Sequence, residues 1–145
     1  MLNESTLAPG NGRCWPAIVA AVRGCVGTRF RPQGRIPGQA LDCVGVALVA
    51  AVAAGMPAIE ILPYALGGDH EVELETVLAR AGCLYVAVPL NGDLLVVAPS
   101  PRRRHLAVVT PAGVVHAHAG LGRVVEGPID PAWSIVGAWR LPGAR

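Results

Sequence analysis

Hydrophobic positions follow a helical period in the first half of the chain and a strand period in the second, with the change near Gly82. Ala17, Ile18, Ala21, Val22 and Cys25 recur at helical spacing behind Trp15. Pro16 occupies a first turn, where its missing N–H costs nothing, so this stretch predicts a helix over about 15–26, ended by Gly27. The run from Val44 to Met56 is apolar throughout, and Asp42 is a suitable N-cap. It predicts a second helix over about 43–55, buried on every side. Glu71 to Arg80 is amphipathic and stops at Gly82. Beyond that point Cys83–Val88, Asp93–Ala98, His105–Thr110, Gly113–His118, Arg123–Glu126 and Ser134–Arg140 are short, Val-rich and separated by Pro, Gly, Asn or Asp. Helices followed by consecutive strands predict an α+β domain with an antiparallel sheet of about five to six strands.

The connecting segments divide the chain into a flexible or docking tail over 1–12, rich in Asn, Ser, Gly and Pro, and one domain over 13–145. Thr28 to Ala40 is a Pro- and Gly-punctuated loop of the kind that borders sites, and 57–69 is a Pro- and Gly-rich connection. Hydrophobic residues at 52% against 15% charged exclude intrinsic disorder and coiled coil. The longest apolar run falls well short of the ~20 residues a membrane-spanning helix needs, so no membrane span is expected. All basic residues are Arg, and a net charge of +2 is too weak to argue for nucleic acid binding. The first residues have neither a basic start nor an apolar core of signal-peptide length, which predicts synthesis in a cytoplasm and export by something else. Cys14, Cys25, Cys43 and Cys83 form no Cys-x-x-Cys pair and read mostly as small buried hydrophobes.

Cys43 is the exception. It opens the second helix directly after the loop, where unpaired N–H groups and the positive end of the helix dipole favour both a thiolate and an oxyanion. A nucleophile also needs a base, and His105 opens a strand. Thr110-Pro111-Ala112-Gly113 is a turn tetrapeptide. If Thr110 pairs with Gly113, then His105 pairs with His118 and Ala107 with His116. Alternation then puts His105, His116 and His118 on one face, with Leu106, Val108, Val115 and Ala117 on the other. A second histidine could fix the His105 tautomer and aim its ring at Cys43; spacing alone favours neither His116 nor His118.

In order, Gly27-Thr28-Arg29-Phe30-Arg31, Asp42-Cys43-Val44-Gly45, Asn91-Gly92-Asp93-Leu94, His105-Leu106-Ala107-Val108-Val109 and Val114-Val115-His116-Ala117 resemble the NlpC-type cell-wall cysteine peptidases, which have a papain-like fold. The resemblance covers roughly 16–141. Val114 to Glu126, and the ending from Pro131-Ala132-Trp133 to Trp139-Arg140-Leu141-Pro142, are most similar to the branch carried by tails of phages and gene transfer agents. It implies Cys43 as nucleophile, His105 as general base and then acid, and His116 as the polar residue orienting His105. It further implies Cys43 and Val44 as backbone oxyanion donors, and Asp42 as the residue that meets the free amine of a peptidoglycan stem peptide. Phe30 stands where the family usually has a tyrosine lining the site, and Val44 replaces a common serine. No cofactor is implied. The implied activity is cleavage of the stem peptide, typically at the γ-D-glutamyl to diamino-acid bond. It would be delivered by a phage-like tail whose hub or tail-tip proteins are the partners, so that the wall opens locally during DNA entry.

Three histidines and a cysteine also invite zinc, but no tight ligand spacing such as His-x-x-x-His on a helix is present, so no metal is expected. His118 reads as cleft lining or as an exposed residue, His70 as a surface residue, and Asp93 as a turn or strand-start residue. Arg102-Arg103-Arg104 reads equally as a solvated loop or as a cationic rim for carboxylates or an acidic partner, with Arg104 nearest the substrate. Two other readings share these residues: a structural tail component with weak or lost activity, to which Phe30 points, and amidase or acyl-transfer chemistry.

Overall fold

The computed structural model describes residues 15–56, 66–67 and 70–142. The predicted tail, Cys14 and most of the 57–69 connection lie outside them.

Helix α1, Trp15–Arg23, buries Ile18, Val19 and Val22. It ends three residues before the predicted limit, because its last turn tightens: Cys25 N–H bonds to the Val22 carbonyl at 3.0 Å and Val26 N–H to that of Arg23 at 3.1 Å. Cys25 stays in the core all the same. The Pro- and Gly-rich loop is less irregular than expected, since Arg35–Ile36 (β1) and Ala40–Leu41 (β2) pair across a Pro37–Gly38 turn in which Gly38 takes φ 83°. Helix α2, Cys43–Ala53, is apolar all round, but its burial is not complete: Val52 is 64% exposed near the C-terminal end. Helix α3, Glu71–Arg80, turns Leu74 and Leu78, one helical turn apart, into the core.

Strands β3 (Leu84–Val86), β4 (Leu94–Ser100), β5 (Arg103–Thr110), β6 (Gly113–His118), β7 (Arg123–Gly127) and β8 (Ser134–Arg140) form one antiparallel sheet in the order β3-β8-β4-β5-β6-β7. This is the predicted α+β architecture with six strands. Alternation splits the strands between two apolar clusters. Val96, Leu106, Val108, Val115, Ala117 and Val124 face the helices and join the main core. Leu95, Val97, Ala107, Val114 and Ala138 face the other way, under Ile129 and Trp133 from the β7–β8 connection. No helix among the described residues is long and apolar enough to cross a membrane.

Candidate active site

The N-terminus of α2 is built by backbone contact. A Cβ on Gly45 would run into the Gly34 carbonyl oxygen and lie 2.8 Å from Leu41 Cδ2, and one on Gly34 would meet the Ala40 and Leu41 backbone at 2.6 Å. Two glycines thus let the loop cross directly over the first helical turn. Asp42 ties the two together: Oδ1 accepts from Gly45 N–H at 2.8 Å, as an N-cap does, and from Arg35 Nη1 at 2.8 Å. Its Oδ2 accepts from Gln33 N–H at 2.7 Å, which holds Gln33 in a left-handed conformation at φ 65°. A carboxylate offers about four acceptor positions, and Asp42 has one left for a ligand.

Cys43 is 8% exposed and faces the gap where β5 and β6 part. Their ladder runs in the predicted register from Thr110–Gly113 to Val108–Val115 and then stops, so the expected pairs Ala107–His116 and His105–His118 do not form. Val109 bonds toward β4, through Gly92 N–H at 2.8 Å and the Asp93 carbonyl at 2.9 Å. Alternation therefore turns the Leu106 N–H toward β6, and in the gap it meets the Cys43 sulfur instead. Burial pushes the Cys43 thiol up to about 11; the Leu106 amide opposes this, the Asp42 carboxylate adds to it, and the Val44 and Cys43 amides oppose it. The helix-end donors that favour a thiolate are present, but desolvation outweighs them.

His105 and His116 meet across the same gap, with Nε2 of His105 and Nδ1 of His116 2.9 Å apart. Geometry thus selects His116 over His118 as the partner and leaves Nδ1 of His105 for chemistry. Burial, then the neighbouring His116, Arg103 and His118 side chains, lowers His105 to about 4. Burial and His118 lower His116 to about 4 as well, with a backbone hydrogen bond at Ala117 pulling back. Both rings are therefore neutral at neutral pH. Trp133 stands edge-on to both, with centroids 5.4 Å from His105 and 5.1 Å from His116. Sequence reasoning missed this residue. It arrives from the connection after β7, held by Trp133 N–H to the Asp130 carbonyl at 3.0 Å and Ala132 N–H to Asp130 Oδ1 at 2.9 Å.

These groups open into one cavity of about 610 Å³, which Phe30, Asp42, Cys43, Arg104, His105, His116, His118 and Trp133 all line. Phe30 packs on the core at its wall. His118 accepts from Leu121 N–H through Nδ1 at 3.0 Å, so it braces the β6–β7 turn. Arg104 lines the cavity while paired with a carboxylate. Its Nε bonds to Glu71 Oε1 at 3.0 Å and its Nη1 to the Arg103 carbonyl at 3.0 Å, so it ties β5 to α3. No group of three or more His, Cys, Asp and Glu side chains among the described residues could hold a metal ion. No known protein-family model and no curated protein matches the chain. A buried thiol, a neutral imidazole whose far nitrogen is held by a second imidazole, and helix-end amides in one cleft can carry out acyl transfer through a thioester.

Proposed function

We propose that the protein is a cysteine peptidase of the NlpC type, with a papain-like fold, that hydrolyses the stem peptide of peptidoglycan. The 2.9 Å contact between His105 and His116 in the Cys43 cleft carries this reading. With Nε2 engaged by His116, Nδ1 of His105 takes the thiol proton as Sγ attacks the scissile carbonyl. The oxyanion that forms lies against the Cys43 and Val44 amides. Collapse breaks the C–N bond, and Nδ1 returns the proton to the leaving amine. Water then attacks the thioester, with the same nitrogen taking its proton, and the freed thiol is restored. Because thiol and imidazole both rest neutral, proton transfer accompanies attack rather than preceding it. The remaining acceptor position on Asp42 suits the free amine of the stem peptide. The resemblance of Val114 to Glu126 and of Pro131 to Pro142 to tail-associated members supports carriage by a phage-like or gene-transfer-agent tail, with hub or tail-tip proteins as partners.

A second reading, a tail component with weak activity, is favoured by the raised Cys43 thiol, whose sulfur faces amides rather than an imidazole. Incubation with purified sacculi separates the two. The wild-type chain is expected to release new peptide ends and Cys43→Ala none. Equal inertness of both folded proteins on several wall types would remove the enzymatic reading.

A further inference from the structure

Among the described residues the cleft is lined by four charged side chains, and two of them are already neutralised: Asp42 by Arg35 at 2.8 Å and Arg104 by Glu71 at 3.0 Å. His105 and His116, whose titration burial lowers, add no competing cation at neutral pH. Arg102 and Arg103 remain, both exposed, lining the same cavity and with no ion-pair partner among the described residues. Strand alternation fixes which of the two matters more. Arg104 points to the helix side, as its bond to α3 requires, so Arg103 shares the face of His105, about 7 Å along the strand. Its charge is felt there, since it is one of the groups that hold His105 neutral, with His116 and His118. Phe30 and Trp133 add apolar surface to the cavity lining, which strengthens a charge contact made inside it.

We propose that Arg103, seconded by Arg102, is a specificity determinant that selects a substrate carrying a free carboxylate beside the scissile bond over the same substrate with that group amidated. This rests on the hydrolase reading above and adds a discrimination to it. In a γ-D-glutamyl peptide the α-carboxylate hangs on the same residue as the cleaved amide, separated from the scissile carbonyl by the side-chain carbons and Cα, and a guanidinium pairs with it in a bidentate fork. Such a carboxylate would also offset the Arg103 charge at His105, so bound substrate raises the basicity of its own general base.

Binding is measured by calorimetry on the Cys43→Ala chain, which removes turnover. The probes are L-alanyl-γ-D-glutamyl-L-lysine and its counterpart in which only the glutamyl α-carboxylate is a carboxamide. The carboxylate form is expected to bind roughly tenfold tighter at low salt, with the preference shrinking as ionic strength rises. Arg103→Gln should abolish most of the preference, Arg103→Lys should keep part of it, and unchanged circular dichroism and melting show that the fold is intact. Equal affinity for the two probes, or a preference that survives Arg102→Gln/Arg103→Gln, overturns the proposal. Sacculus hydrolysis by the wild-type chain is read in parallel. Hydrolysis without preference removes only the carboxylate selection, whereas preference without hydrolysis removes the peptidase reading and leaves an anion-binding cleft.

Discussion

His105 and His116 share one hydrogen bond and one proton on it, and which ring donates decides what Nδ1 of His105 can do. With Nε2–H of His105 donating, Nδ1 is a free acceptor and the ring is a base. With the donor reversed, Nδ1 carries the proton and the ring is an acid. Moving between these forms takes a proton in at one end of the pair and a proton out at the other, because transfer of the shared proton alone would leave an imidazolate beside an imidazolium. The same burial has a thermodynamic consequence. Both rings titrate near pH 4 in the folded state and near 6.5 when exposed, so the unfolded chain binds more protons between those limits. Stability is therefore fully present above about pH 6.5 and falls as pH drops toward 4. At ~1.4 kcal/mol per unit of difference, and allowing for the proton the pair shares, the loss is on the order of 3 kcal/mol. Urea midpoints at pH 7 and 4.5 measure it. His105→Gln/His116→Gln should flatten this acid slope, and a slope equal to that of the wild type would show that other groups cause it.

At the scale of elements, the decisive contact is between the α2 N-terminus and the loop before it. Gly45→Ala drives a methyl group into the Gly34 carbonyl, and neither backbone can yield without moving Asp42 and the β1–β2 hairpin. The expected cost is about 2–3 kcal/mol in urea unfolding. Gly38→Ala is the control: it faces open space, and its φ of 83° costs only about 1 kcal/mol. Loss from Gly45→Ala no greater than from the control would refute the crowding argument. Sequence pattern foresaw part of this region and missed the rest for a physical reason. The Asp42 cap, the α3 limits and the Thr110–Gly113 register are local, set by residues within a turn of one another, and were readable. The β1–β2 hairpin has two residues per strand, too few to alternate. The Gly34–Gly45 approach, the Arg104–Glu71 tie and the Trp133 wall join distant segments, and nothing in a local period encodes them. The exposure of Val52 escaped as well, because an apolar helix does not declare which side lacks a neighbour.

Across the whole molecule, stability and chemistry sit at opposite ends of the sheet. The cleft lies where β4 ends and β5 begins, while the other end is locked by Asp93 and Arg140. Asp93 is fully buried, and its carboxylate accepts from Arg140 Nε and Nη2 at 2.9 Å each and from Leu90 N–H at 2.7 Å. A bidentate pair of this kind fixes β4 beside β8 at a defined register, but its net contribution is modest, because both charges were taken out of water. Breaking it is another matter. Asp93→Asn preserves shape and an acceptor for Leu90 yet takes the facing carboxylate charge away from a buried guanidinium, at an expected cost of about 3–5 kcal/mol. Replacing both partners, as in Asp93→Leu/Arg140→Met, removes the stranded charge and should recover part of that loss, although the Leu90 amide then goes unpaired and limits the recovery. Because this end of the sheet carries none of the cleft residues, the folded fraction of each variant should retain the wild-type rate of Cys43 alkylation. Urea unfolding and alkylation kinetics on the same samples check both halves. A double variant no more stable than the single one would place the cost in lost hydrogen bonds rather than in the loss of the Asp93 charge facing Arg140, and altered alkylation in the folded fraction would show that the two ends of the sheet are coupled.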